Sequence, residues 1–218
     1  MLKAKGIKKV YGSLNVLDGI DLVINKKEVI SIVGASGAGK STLLHILGTL
    51  DKPDTGSIQL NDINPFALGK DELARFRNKN IGFIFQFHNL LPEFTAFENV
   101  CLPGLIGNRK EQEVKSRADA LFNLLGINKR KDHKPSELSG GEQQRAAVAR
   151  ALINDPNIIF ADEPSGNLDS KNAEELHNLF FRLRDELEQT FVIVTHNNSL
   201  ASISDRMFEI QDGKIKTD

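Results

Sequence analysis

The chain has 218 residues, 40% of them hydrophobic and 26% charged, an ordinary globular composition long enough to bury a core without metals or disulfide staples. Its 28 basic and 29 acidic residues leave a net charge of −1, which argues against a protein that lives by wrapping nucleic acid. With one cysteine, Cys101, an internal disulfide framework is excluded, and no stretch approaches the roughly 18 apolar residues that would cross a bilayer.

Met1–Val10 lacks the apolar run of a signal peptide, so the expectation is a cytoplasmic protein whose membrane role, if it has one, comes through a partner. The first third reads as strands. Val16 to Ile24 alternates apolar and polar residues, and Val29–Val33 is a short apolar run of the buried type. A glycine-rich turn leads into an apolar helix, Ser41 to Leu50. Asp51–Gly56 is a turn cluster before a strand at Ser57–Leu60, and Ile81–Phe85 is another apolar run. From about Phe87 to Asp155 the period becomes helical. Val114, Ala118, Leu121, Phe122 and Leu125 form one stripe, and a second helix runs from Glu142 to Ile153 after the turn at Ser139-Gly-Gly141. Then strand Ile158–Ala161, helix Lys171–Glu188 and strand Phe191–Thr195 restore the β/α rhythm. A hairpin, Met207–Ile210 and Lys214–Lys216 around Asp212-Gly213, closes the chain. The alternation implies an α/β domain with a mainly parallel sheet and a helical insertion, one domain in two lobes.

Gly34-Ala-Ser-Gly-Ala-Gly-Lys-Ser41 fits G-x-x-x-x-G-K-[ST] at every position. It follows a buried strand and opens a helix, the context that motif requires. Glycines let backbone N–H groups turn inward as an anion nest, and the helix beginning near Lys40 points its positive end at the same place. Lys40 supplies a mobile charge to the β- and γ-phosphates, and the Ser41 hydroxyl suits Mg²⁺. The expected nucleotide-binding set is therefore Gly34, Ala35, Ser36, Gly37, Ala38, Gly39, Lys40, Ser41 and Thr42.

Ile158–Ala161 ends in Asp162 and Glu163, two acids at a strand terminus that opens on the ligand crevice of an open sheet. Asp162 is expected to hold the Mg²⁺ shell and Glu163 to polarise the attacking water. Taken alone, Glu163 would equally serve as a helix cap. Leu138-Ser-Gly-Gly-Glu-Gln-Gln-Arg145 opens a helix in the insertion and makes Ser139, Gly140, Gly141 and Glu142 a second anion site. One chain cannot easily bring this lobe over its own phosphate loop. Two chains packed head-to-tail about a two-fold axis can, each closing the other's nucleotide.

With these three motifs the sequence resembles the ATP-binding cassette (ABC) ATPases, and the resemblance covers essentially the whole chain. It implies a P-loop NTPase whose nucleotide-binding domain has a RecA-like core, an antiparallel β subdomain and a helical insertion. Residues 1–86 and 156–218 would form the core lobe and about 87–155 the helical lobe. It further implies that Tyr11 stacks on adenine and that Gln86 senses Mg²⁺ and the attacking water. Ser165-Gly-Asn-Leu-Asp169 would cross to the other subunit, and His196 would contact the γ-phosphate. ATP and Mg²⁺ are the only cofactors implied. Asn197 and Gln143 stand where many relatives carry Asp and Arg or Lys, and neither change removes a catalytic group. His45, His88, His133 and His177 form no metal-ligand spacing and read as structural.

Phe87, Leu90, Leu91 and Phe94 serve either the core of the helical lobe or a groove for a membrane subunit's coupling helix. The string Gln86-Phe-His-Asn-Leu-Leu-Pro-Glu-Phe-Thr-Ala-Phe-Glu-Asn-Val100 is similar to the branch that powers lipoprotein-releasing systems. MacB-like export and FtsE-like control of cell-wall hydrolases are the alternatives. That branch implies a second copy of the chain and LolC/LolE-like permease subunits as partners, no nucleic acid, and a place on the cytoplasmic face of the inner membrane.

Overall fold

The computed structural model describes residues 1–216 and divides the strands between two sheets. An antiparallel sheet in the order β2-β1-β4 contains β1 (Leu2–Tyr11), β2 (Leu14–Ile24) and β4 (Thr55–Leu60). The larger sheet runs β5 (Ile81–Phe85), β6 (Ile158–Asp162), β7 (Phe191–Val194), β3 (Val29–Val33), β8 (Arg206–Gln211) and β9 (Lys214–Ile215). It is parallel from β5 to β8, and β9 closes it as a hairpin. The helices are α1 (Lys40–Leu47), α2 (Lys70–Asn80), α3 (Ala96–Ile106), α4 (Glu111–Leu124), α5 (Gly140–Leu152), α6 (Ser170–Leu187) and α7 (Asn198–Ile203). No described helix is long and apolar enough to cross a membrane. The family fold expected from the motifs, a P-loop cassette with a parallel core, an antiparallel sheet and inserted helices, is the fold observed.

Successive residues of the parallel strands go to opposite cores, as a two-residue side-chain period demands. Ile159, Ala161, Phe191 and Ile193 join the core shared with α3, α4, α5 and α6, where Phe180 packs 5.0 Å from Phe191. Ile158, Phe160, Val192 and Val194 join α1 and the antiparallel sheet. Both faces are thus covered, which is why these strands read as unbroken apolar runs.

The helical insertion lies between β5 and β6, neighbours in the sheet. The α4 stripe is buried as its spacing predicts. The first helix is shorter than the sequence reading. α1 stops at Leu47, Gly48 returns its N–H to Leu44 O, and Thr49 adopts φ 61°. The sequence pattern does not mark β1, α2, α3 or α7 as discrete elements.

Candidate functional site

The site gathers where β3, β6 and β7 end. Between β3 and α1 the chain folds tightly enough that two glycines are obligatory. A Cβ on Gly34 would lie 2.3 Å from Ile210 O, and one on Gly39, at φ 99°, would lie 2.7 Å from Val16 O. Gly39 begins α1 with no side-chain cap and with no acidic residue in the first turn. Its amide dipoles are left for an external anion. Lys40 folds back over the loop and donates from Nζ to Gly34 O and Ala35 O, both at 2.9 Å. A cavity of about 610 Å³ opens beside Ala35, Ser36, Gly37 and Ala38, bounded by Leu14, Val16 and Gly213. Tyr11 does not line it. The half-exposed phenol donates to Asp51 Oδ2 at 2.5 Å, and the Lys9 ammonium stands 5.1 Å from its ring centroid.

Ser41 Oγ donates to Asp162 Oδ1 at 3.0 Å, joining the phosphate loop to the end of β6. Burial pushes the Asp162 carboxyl above the usual carboxylate range, against the opposing pull of that hydroxyl and of the nearby His45 and Lys40 side chains. His45 Nε2 is 3.8 Å from Asp162 Oδ2. A hydroxyl and a carboxylate are hard oxygen donors that fit Mg²⁺ completing its shell with phosphate and water. The described residues contain no cluster of three or more His, Cys, Asp or Glu placed to cage a metal with protein groups alone.

Glu163 follows at φ 46°, a left-handed conformation that costs a glutamate energy and signals constraint. Its amide donates to Val194 O at 2.9 Å and its carbonyl accepts from Gly166 N at 3.0 Å. The turn aims the carboxylate at His196, whose Nδ1 lies 2.9 Å from Glu163 Oε2. The carboxylate is largely buried, whereas the imidazole is 73% exposed. Gln86, at the end of β5, points elsewhere. Its Nε2 donates to Asn167 Oδ1 and its own carbonyl accepts from Asn167 Nδ2, both at 3.1 Å. Ser165 in the same turn meets the buried His177 at 3.0 Å.

Ser139 caps α5 by accepting from Glu142 N, and the Glu142 carboxylate accepts from Ser139 N at 2.8 Å and Ser139 Oγ at 2.9 Å. Arg130 Nε completes the box at 2.6 Å from Glu142 Oε1, and these contacts hold the Glu142 carboxyl down to about 2. Gly140 faces Leu168 and Gly141 faces the Asn172 side chain. Among the described residues no hydrogen bond links residues 139–142 to residues 34–42.

After Gln86 the loop presents Phe87 at 73% exposure, with Leu91 and Phe94 also exposed, while Leu90 packs on the core. Leu90 therefore serves the core reading, and Phe87, Leu91 and Phe94 are left on the surface. A groove of about 440 Å³ runs beside it between Phe83, Phe85, Pro103, Ile106 and Arg150. Three side chains that shape these loops have contacts that sequence reading does not assign: Asn167 and Asn99, which lie inside motif strings without a role of their own, and Arg150. The fully buried Asn99 bonds Leu91 through both its N–H and its C=O, and also donates to Phe94 O and Thr95 O.

Residues 17–166 match the family described as ABC transporter. The chain is 62% identical over 215 residues to the lipoprotein-releasing system ATP-binding protein LolD of Cytophaga hutchinsonii, covering 99% of this chain and 98% of that one. It is 58% identical to the protein of the same name from Bacteroides thetaiotaomicron, over the full length of both. Among solved structures, the dimeric ATP-binding cassette MJ0796 in a post-hydrolysis state with ADP and Pi superposes with a TM-score of 0.90 at 40% identity. That match covers 100% of this chain and 97% of the other.

Proposed function

The chain belongs to the ABC transporter family of ATP-hydrolysing cassettes, and from that premise we propose that two copies close on two ATP–Mg²⁺ and drive a permease that releases lipoproteins from the inner membrane. The observation that carries the hydrolytic part is the 2.9 Å contact between Glu163 and His196 at the ends of adjacent strands beside the phosphate loop. A carboxylate fixed by a strained turn and contacted by an imidazole suits a base that takes a proton from water as the water oxygen attacks the γ-phosphorus. The bond to the β-phosphate oxygen then breaks and ADP leaves. Lys40 and the amides of Gly34 to Ser41 would hold the phosphates. Ser41 and Asp162, joined by Gln86 once it leaves Asn167, would hold Mg²⁺, whose charge offsets that of the phosphate oxygens. Tyr11 would turn from Asp51 to stack on adenine. Ser139, Gly140, Gly141 and Glu142 of the second copy would complete the γ-phosphate pocket, with residues 87–155 moving as the helical lobe and residues 1–86 and 156–218 as the core lobe.

The cargo is proposed from the full-length likeness to LolD proteins, which are lipoprotein-releasing system ATP-binding proteins. On this reading the chain sits on the cytoplasmic face of the inner membrane, and the exposed Phe87, Leu91 and Phe94 beside the groove receive LolC/LolE-like subunits. The test is affinity purification of tagged Glu163→Gln protein from native membranes with ATP, followed by mass spectrometry. A permease with large periplasmic domains recovered together with lipoproteins is the expected result. A permease of the MacB or FtsX kind would reassign the cargo, and recovery of no membrane protein would remove the transport role.

A further inference from the structure

Helix α5 has work at both ends. Its first turn carries Ser139 and Glu142, and about 16 Å along the helix from Ser139 the Arg150 side chain projects from its last turn. Its guanidinium donates from Nη1 to Asn89 O at 2.5 Å and from Nη2 to His88 O at 2.6 Å. Both carbonyls belong to consecutive non-glycine residues in the left-handed region, His88 at φ 59° and Asn89 at φ 51°. Such a pair persists only where its surroundings dictate it, and a planar two-pronged donor spanning both carbonyls does so. Asn99 on α3 secures the far end of the loop through Leu91, Phe94 and Thr95. Phe87 stands immediately before the clamped pair and is the most exposed large apolar side chain of the loop.

We infer that Arg150 is a positioning residue that ties the Phe87–Phe94 loop to α5, so that displacement of the Ser139 end on ATP binding is delivered to the apolar surface. The inference rests on the proposed closure of two copies over ATP. It adds the element that carries closure to the loop, a rigid helix with a two-pronged grip at its far end.

The test uses the full chain carrying Glu163→Gln to retain ATP, and Phe87→Cys labelled with an environment-sensitive fluorophore. Cys101 is buried and its thiol is pushed up to about 11, so it stays unlabelled. Arg150, Arg150→Lys and Arg150→Gln versions are compared by melting temperature, by ATP-dependent dimerisation on size exclusion and by ATP-dependent fluorescence. The Arg150 protein should dimerise and change fluorescence. The Lys variant keeps the charge but not the fork, and it should dimerise while losing most of the response, at least about five-fold. It carries the test if the Gln variant does not fold. An unchanged response in a dimerising variant overturns the inference, as does a dimer of the Arg150 protein with no fluorescence change. Loss of dimerisation in the Lys variant also overturns it, because Arg150 would then serve assembly. If the Arg150 protein itself does not dimerise, the proposed closure fails and not the clamp.

Discussion

Two helices in this molecule begin at glycine-bearing turns suited to anions, and the chain finishes them in opposite ways. α1 starts bare, with Gly39 as its cap and no acidic side chain in its first turn. α5 starts closed, its Ser139 and Glu142 satisfying one another and Arg130 bracing the carboxylate. An open N-terminus is a binding site by itself. A closed one is stable on its own and meets an anion only when a second surface brings that anion close. In the proposed closure the difference has a purpose: one chain holds nucleotide at the phosphate loop, whereas the Ser139 turn contributes only across an interface.

The strongest way to break this contrast is to stop chemistry while leaving both helix ends intact. Glu163→Gln should lower steady-state turnover by about 10² to 10⁴-fold while ATP binding, read by equilibrium titration, persists. Next comes the open end. Lys40→Ala removes a charge-assisted contact of about 1.5–3 kcal/mol and should weaken ATP binding to the isolated chain roughly 10- to 100-fold. At the closed end, Ser139→Ala should cost about 1 kcal/mol, a melting shift of a few degrees, and abolish ATP-dependent dimers. Isothermal titration of the monomer should find its ATP affinity unchanged; a loss equal to that of Lys40→Ala would erase the distinction between the two turns.

The smallest effect is on acid stability. The Glu142 carboxyl sits at about 2 in the fold against an ordinary 4.5, the bond from Arg130 being the largest cause. A lowered pKa contributes stability that is fully present above about 4.5 and is lost as pH falls through about 2. Arg130→Met should therefore flatten the decline of melting temperature with acid across that window. An identical pH profile in the variant would mean that the brace stabilises nothing.

Much of this arrangement was legible in the residues. The phosphate loop announces itself because glycine, lysine and serine at fixed spacing have few other uses, and Ile81–Phe85 appears as β5 with the bounds its apolar run predicts. β1 was harder, because Gly6 shifts the register between Ala4 and Ile7, and the inward Lys9 hides its charge against Asp51 and the Lys52 carbonyl. α2 has no fully buried side chain and only Phe76 packed on the core, so its apolar stripe is too thin to detect. Within the site, Glu163 is picked out by its place at a strand end, and His196 only by the resemblance to the cassette family. Asn99, Asn167 and Arg150 are not, because each is defined by the backbone carbonyl or amide group that folding brings within its reach.

The strand order has a consequence for how the protein is made. β3 carries the phosphate loop, yet its two neighbours in the sheet, β7 and β8, lie at residues 191–194 and 206–211. As the chain leaves the ribosome, β3 must wait unpaired through synthesis of the whole helical insertion. That insertion brings α3 against α5 within residues 96–152, so its contacts close before β7 is made. The strand that carries the phosphate loop can therefore complete its pairing only after residues 191–211 have been made, and a chain truncated before β7 would display a complete phosphate-loop sequence on a strand without its sheet neighbours.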